Sequence, residues 1–389
     1  MPDVQTAAVL SSTVAAQKIP IDMDSEIKYE ETGSFRYEYY TRKLNAPEQH
    51  ANMKVEWIEN ELYPCVLVVT GASAGTTIPV DNPQYAHRDQ LLFNTRTKEV
   101  CLMNEDIGGT GTSGSVTVVN HTGSGSISTA AAADDVLIIL PETHAEGEDV
   151  PPAFSQKPDF FYTYMMQSDE TLKVSDIAKN QKEYGLKQYL SDRKQMWIYR
   201  KRGINLSLLV NKPMRETASA SVRRHSSQGL DYAIQTNRVD CSYVQGVMDL
   251  GMVGELMRVT TRQGASSPTK IGIAGQNAMV SLSSIPVSAI ETTVSETEWG
   301  KRLTSLRTPF GDLAFDHDRS LSDEFGLGDI FVILDPKCPV RLQYQGLPEQ
   351  MVMNINGTTD FHNMTDLFTG TWGQKFCLEK LSAWIYNIA

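Results

Sequence analysis

The chain has 389 residues, is 41% hydrophobic and 21% charged, and carries a formal charge of −12. That length suits two compact domains, or one domain with a large insertion, and the ordinary apolar content can fill a sizeable core. The acidic balance argues against a general nucleic-acid binder, which is usually basic, and favours solubility without bearing on the fold. Five scattered cysteines (Cys65, Cys101, Cys241, Cys338 and Cys377) with no CxxC pair read as reduced core thiols, not as a disulfide framework. Met1 to Pro20 lacks a basic start followed by an apolar run, and no run of about 18 apolar residues exists. The expectation is a protein made and folded in a cytoplasm, with no membrane partner.

Residues 1–45 read as an arm, small and polar at first and then aromatic and mixed-charge (SFRYEYYTRKL) without a clear period. Such a segment buries too little area to fold alone and should lie against something. NMKVEWIENELYP predicts a short helix with Trp57, Ile58 and Leu62 on one side, stopped by Pro64. Residues 65–141 read as a β-rich module, with CVLVV, TTIPV, QLLF, EVCLM, SVTVV and DVLIIL as strands between Gly, Asn-Pro and Ser/Thr turns. A hinge from Pro141 to Pro158 leads to a strand at Asp159–Met166, whose Phe160, Phe161, Tyr162 and Tyr164 predict cover on both faces, in a core or at a subunit interface.

From Ser175 the pattern turns helical: Leu186, Tyr189, Arg193, Trp197, Ile204 and Leu208 follow spacings of three, four or seven, with Ser175 as N-cap, Gly203 as a possible kink and Pro213 as the stop. Between Lys179 and Lys212 nine Lys/Arg face two acids, a local +7 inside a chain of −12. That face is either simply solvated or meets acidic neighbours or nucleic acid. Ser242–Val259 predicts a second helix broken by Gly246, Gly251 and Gly254. Towards the C-terminus KRLTSLRTPFGDLAFD and GDIFVILDP read as paired long strands, with PVRLQYQGL and QKFCLEKLSAWIYNI supplying more. No internal repeat is visible, which argues against a fibre.

The chemistry-bearing motifs fail their context tests. Gly109–Gly114 matches GxGxxG, but a strand rather than a helix follows, so no helix N-terminus can receive a pyrophosphate. His144-Ala145-Glu146 lacks the PCxxC of a zinc deaminase. In Asp316-His317-Asp318 alternation puts the two carboxylates on one face, and the cluster reads as a surface turn, not a metal site. GxSxG, HExxH and cysteine-nucleophile signatures are absent, and the sequons at Asn120, Asn205, Asn356 and Asn363 matter only in a secretory pathway. No catalytic, cofactor-binding or metal-ligating residue is assigned, and no cofactor.

The order of elements nonetheless resembles one family. MKVEWIENELYP, a β module ending in DVLIIL, then HAEGEDVPPAF and PDFFYTYMMQSDETLKVSDIAKNQKEYGL is similar to the SU-ten-type branch of tailed-phage major capsid (major head) proteins. Thr171, Val174, Ser175, Ala178 and Tyr184 fall where that family opens its long spine helix, and TPFGDLAFDHDRSL with GDIFVILDPKCPVRLQYQGL resembles its strand pair ending in Asp-Pro and a Gly-Leu turn. The chain departs from the pattern at Arg200–Asn205, where the family often carries an acid and a Gly, and in the basic loop after Pro213 (Arg215, Arg223, Arg224, His225).

The resemblance implies an α+β, Hong Kong 97-type capsid fold. It maps 1–50 to an N-terminal arm, 51–158 to an extended loop with an inserted β-rich module, and 159–214 to the strand and spine helix of the peripheral domain. Residues 215–290 fall in the axial domain, and 291–389 supply the peripheral-domain strands and the rest of the axial domain. The implied function is structural: a major capsid protein of a tailed bacteriophage, self-assembling into hexamers and pentamers of an icosahedral or prolate shell around double-stranded DNA. Implied partners are copies of itself, separate scaffold and portal proteins, a decoration protein, and packaged DNA in non-specific contact. The implied place is the virion capsid, assembled in the bacterial host cytoplasm. The competing readings are another phage structural component (tail, fibre or decoration protein) and an enzyme whose site is formed by distant residues.

Overall fold

The computed structural model describes residues 35–60, 65–104, 113–121, 125, 127, 129–143, 158–175, 188–216, 224–244, 246, 248–262, 266–283, 290–291, 304–355 and 363–388. The chain divides into two units, one of Met1–Trp57 with Phe160–Ala389 and one of Ile58–Asp159. Helices and strands are segregated rather than alternating, an α+β arrangement.

In the first unit a 14-residue strand, Asn363–Phe376, organises a five-stranded sheet. Met166–Ser175 pairs along it antiparallel from Met166↔Trp372 to Ser175↔Asn363. Pro339–Tyr344 and Gln350–Val352 pair along its other edge, and Glu48–His50 joins Pro339–Tyr344 in parallel. Its Thr, Phe and Trp residues suit a pleated, covered surface.

A second sheet of seven strands runs in the order Arg238–Asp240, Ala383–Tyr386, Phe331–Leu334, Thr269–Ala274, Gly311–His317, Thr304–Thr308, Ile290–Glu291. Period-two alternation sorts its centre between two cores. Ile271, Ile273, Val332 and Leu334 join Tyr37, Tyr40, Ile204, Leu208 and Leu209 on one face. Leu313, Phe315, Phe331 and Ile333 meet Val253, Leu256, Met257, Ala278 and Leu282 of the helices Leu250–Thr261 and Gln276–Ser283 on the other. A sheet covered on both faces needs strands apolar throughout, which Phe331–Leu334 is. At Gly272 a Cβ would stand 2.8 Å from the Phe331 ring, so only glycine lets these strands close up.

The Ile58–Asp159 unit holds a six-stranded antiparallel sheet in the order Val66–Val68, Val136–Glu142, Gln90–Asn94, Val100–Met103, Ser113–Asn120, Thr77–Asp81. Its core is Leu67, Val69, Ile78, Val80, Leu92, Met103, Val116, Val118 and Leu137. The Asn94–Lys98 turn is tied down by Asp135, which accepts from Asn94 Nδ2 at 2.9 Å and Arg96 Nε at 2.5 Å.

Several expectations are overturned. Lys54–Glu59 is a strand, not a helix: Val55 and Trp57 are buried and Lys54, Glu56 and Ile58 exposed, a period of two. Arg36–Leu44, read as part of a structureless arm, is a helix that buries Tyr37, Tyr40 and Thr41 at i, i+3 and i+4. Ser175 ends a strand instead of capping a helix, and Thr171 and Val174 lie in that strand too. The long helix is Gln188–Val210, about 35 Å at 1.5 Å per residue. Residues 176–187, with Ala178 and Tyr184, lie outside the described residues.

The glycine-broken helix begins at Leu250, capped by Asp249 accepting from Met252 N, and not at Ser242; Cys241–Val244 is a 3-10 turn and Gly246 has φ +75. Gly311–His317 does not pair with Phe331–Leu334, because Thr269–Ala274 lies between them, parallel to the first and antiparallel to the second. Cys101, Cys241 and Cys338 are buried thiols, whereas Cys65 is exposed. No described helix is long and apolar enough to cross a membrane.

Candidate functional site

The long helix changes character along its length. Its C-terminal half is sunk in the core through Ile204, Leu208 and Leu209, all buried. Its N-terminal half touches the five-stranded sheet along one side only. Tyr189 hydroxyl donates to buried Asp366, which also accepts from Asn354 N at 3.1 Å and lies 3.7 Å from Arg193 Nε. Burial pushes the Tyr189 hydroxyl up to about 12. Arg200, fully inside, donates to the carbonyls of Ser168 at 3.1 Å and Phe368 at 3.0 Å.

These contacts correct the charge reading. Of the five described cations of this helix (Arg193, Lys194, Arg200, Lys201, Arg202), Arg193 and Arg200 serve the chain's own sheet. Lys194 is exposed and Lys201 and Arg202 are half-buried beside two exposed rings, one of which, Trp197, also lies 6.1 Å from the Phe368 ring of the sheet. Lys201 Nζ is 5.3 Å from the centre of Trp197 (40% exposed), and Arg202 Cζ is 5.5 Å from that of Tyr199 (62% exposed) and 5.7 Å from Phe325. Gly203 leaves the helix unbroken, and a Cβ there would meet open space.

A buried polar node joins the helix to the N-terminal helix. Asp318, expected on a surface turn, has no exposed area. Its Oδ2 accepts from Tyr37 N at 2.8 Å and Arg36 N at 3.1 Å, and its Oδ1 from Ser320 N at 2.8 Å. Asn205 Oδ1 accepts from Glu38 N at 2.7 Å, while its Nδ2 donates to Asp318 Oδ2 at 3.1 Å and Ser320 Oγ at 2.8 Å. The first three amides of helix Arg36–Leu44, orphaned by helix geometry, thus find acceptors from elsewhere, and the carboxylate sits at the positive end of the dipole. Asp316 is on the same face, as alternation requires, taking Tyr40 hydroxyl at 3.0 Å and Arg36 Nε at 3.0 Å; His317 turns away to Ala274 O. No short-range pattern marks Asn205 as a partner of Asp318, because 113 residues separate them.

Two further charge groups are structural. Lys270 and Asp335 form a wholly buried pair at 2.7 Å in which Lys270 also donates to Leu381 O at 2.9 Å and Asp335 accepts from Ser267 N at 2.7 Å. Burial lowers the Lys270 pKa. Burial alone would raise the Glu349 carboxyl, but the guanidiniums of Arg341 and Arg42 outweigh it and hold the group below its usual range. Every charge here is spent on a neighbour of the same chain. Among the described residues no three His, Cys, Asp or Glu side chains converge as a metal site. Gly109–Thr112 and His144–Glu146 lie outside the described residues, and Ser113–Asn120 after the GxGxxG is a strand.

Among the described residues the aromatic strand Asp159–Tyr164 pairs with Lys54–Glu59 alone, in a two-stranded ribbon. Among the described residues it is not covered on both faces, as a core strand would be. Phe160 is 73%, Phe161 42% and Tyr162 49% exposed, although Phe161 stacks on Trp57 and Lys54 lies over Tyr162. Thr163 and Met165 are the buried members of the segment.

Compared with known families, residues 13–389 match the family described as SU10 major capsid protein. No curated protein matches. Among solved structures, one from Mycobacterium phage Patience is similar at 11% identity and a TM-score of 0.43, over 64% of this chain and 77% of its own. The capsid of a native GTA particle is similar at 7% identity and a TM-score of 0.46, over 98% and 100%. One from Microbacterium phage Oxtober96 is similar at 9% identity and a TM-score of 0.42, over 98% and 99%.

Proposed function

The chain belongs to the SU10 major capsid protein family, a structural component of the phage virion built from many copies of one subunit, and from that premise we propose that it closes, as hexamers and pentamers, an icosahedral or prolate shell of Hong Kong 97 type around double-stranded DNA. Residues 1–50 act as the arm, 51–158 as the extended loop with its β module, 159–214 as the spine region and 215–290 as the axial domain; 291–389 complete the peripheral and axial domains. Scaffold, portal and decoration proteins act on this subunit from outside, assembly takes place in the host cytoplasm, and no catalytic step is assigned to it.

The observation that carries the reading is the aromatic ribbon. A two-stranded ribbon is marginal by itself in water, and Phe160, Phe161 and Tyr162 leave large apolar surface uncovered. Covering it with a second copy recovers roughly 25 cal/mol per Å2 of apolar area, repeated at every subunit of a closed symmetric assembly. The test is electron microscopy of the purified chain, alone and with its candidate scaffold, beside Phe160→Ser/Tyr162→Ser. Rings of five or six, or closed shells, are expected from the parent, and fewer from the variant at unchanged circular dichroism. A parent that stays monomeric under assembly conditions overturns the reading.

A further inference from the structure

We propose that Cys338 and Cys377 form a paired modification site, two thiols opposed across neighbouring strands that a small-molecule disulfide such as oxidised glutathione converts to an intrachain disulfide. The inference goes beyond the capsid reading and does not depend on it, because it concerns two thiols of one chain. In the sequence the cysteines are scattered, and strand register is what brings these two together. Pro339–Tyr344 runs antiparallel to Asn363–Phe376 with Pro339 opposite Phe376. One step further, Cys338 stands opposite Cys377, and Cys377 N donates to Cys338 O at 3.2 Å.

Residues opposed in an antiparallel pair share a face. Their Cα atoms lie about 4.5–5.5 Å apart, inside the span of about 4.4–6.8 Å that a disulfide bridges. Cys338 Sγ already leans across, donating at 3.6 Å to the carbonyl of Leu378, the residue after Cys377. Cys338 N bonds to Asp335 O at 3.0 Å, so the backbone is held at both positions. Among the described residues no other two cysteines are opposed: Cys101 faces Leu92 and Asn120, Cys65 O accepts from Ile139 N, and Cys241 lies against Met252.

The two thiols differ in access. Cys338 is fully buried, and burial pushes its thiol up to about 12, whereas Cys377 is half-buried. The thiolate is the nucleophile, so Cys377 attacks first. Its sulfur bonds to one sulfur of the oxidised glutathione and expels one glutathione thiolate, which takes up a proton. Cys338 then loses its proton to solvent, attacks Cys377 Sγ and expels the second glutathione. Two protein thiols and one oxidised glutathione become one protein disulfide and two glutathiones, with two electrons passing to the oxidant. The bond closes a loop of about 40 residues, which restricts the unfolded chain. It also ties the turn leaving Phe331–Leu334 of the seven-stranded sheet to the end of the strand that organises the five-stranded one.

The experiment incubates the purified full chain, with Cys65→Ser to remove the exposed thiol, with excess oxidised glutathione at about pH 8.5. Unreduced peptides are mapped by mass spectrometry, and the thermal midpoint is measured before and after dithiothreitol. Linked Cys338 and Cys377 peptides are expected, with an intact mass lower by about 2 Da and a midpoint several degrees higher that dithiothreitol reverses. Cys338→Ala should instead trap glutathione on Cys377. Cys377→Ser should give no link and leave Cys338 unmodified, and it decides the matter with the parent if Cys338→Ala does not fold. A folded parent without the linked peptides overturns the proposal, as does a link from either residue to a different cysteine. So does a link that forms only in urea, or one that leaves the midpoint unchanged. Particle formation, read separately by electron microscopy, bears on the capsid reading alone.

Discussion

The two halves of helix Gln188–Val210 pose opposite physical problems with the same residue types. In the C-terminal half Asn205 is polar and wholly buried, and each of its side-chain groups has a partner. In the N-terminal half Trp197 and Tyr199 are large and apolar yet open to solvent. Residue identity therefore says less than position about what a side chain does. Arg200 and Lys201 are neighbours in sequence with one charge each, yet Arg200 is buried and closes backbone carbonyls inside the subunit, whereas half-buried Lys201 lies over the Trp197 ring. The C-terminal half is core, whereas the N-terminal half rests on the five-stranded sheet along one side and leaves Trp197 and Tyr199 partly exposed.

That contrast can be broken by mutation, and Leu208→Ala should have the largest effect. Leu208 is fully buried in the core shared by the long helix and the seven-stranded sheet, so a loss of about 2–5 kcal/mol is expected in denaturant unfolding. A loss under about 1 kcal/mol would mean that the inner half is not core. Next is Asn205→Ala, which strips Glu38 N and Asp318 of a buried partner and should cost about 2–3 kcal/mol. Hydrogen exchange should then rise first at the Tyr37 and Glu38 amides.

Arg200→Ala against Lys201→Ala sharpens the comparison most directly. The first should cost about 2 kcal/mol by leaving two interior carbonyls short of a donor. The second should stay within about 0.5 kcal/mol, as surface substitutions that leave no buried group unpaired do. Equal costs would erase the distinction. The smallest effect is a gain: Gly203→Ala should raise stability by about 0.5–1 kcal/mol, because the glycine is helical, exposed and surrounded by open space. A fall in the thermal midpoint would show that something outside the chain approaches Gly203.

Legibility in the sequence followed the range of the interactions. The six strands between Val66 and Glu142 were readable because runs of β-branched residues bounded by turn residues mark each strand locally, even though the sheet pairs most of them out of sequence order. Lys54–Glu59 was misread because Trp57, Ile58 and Leu62 also fit a helical spacing, and only burial decides between periods. Thr269–Ala274 escaped notice: a buried lysine and a glycine hide a central strand whose partners come from Gly311–His317 and Phe331–Leu334. The polar node was invisible for the same reason, since Asp318 looks like any acid of a turn until Tyr37 is placed beside it. The charge reversal on the long helix was legible as a sum, but its division between sheet and solvent was not. The family resemblance rested on the order of elements, which survives such local errors.

The node also sets a timetable. The amide of Tyr37 waits for an acceptor 281 residues further along the chain. At about 5–20 residues per second of synthesis, roughly 15–60 s pass before Asp318 exists to receive it. Until then the N-terminal helix has neither its anchoring carboxylate nor the strand beneath it, whereas the Ile58–Asp159 hairpins have all their partners within their own stretch of chain. A nascent subunit thus holds a finished β module beside an unlocked N-terminus, and a subunit truncated before Asp318 cannot lock that helix by this route. Completion of the chain acts as a built-in delay on the maturity of its first helix.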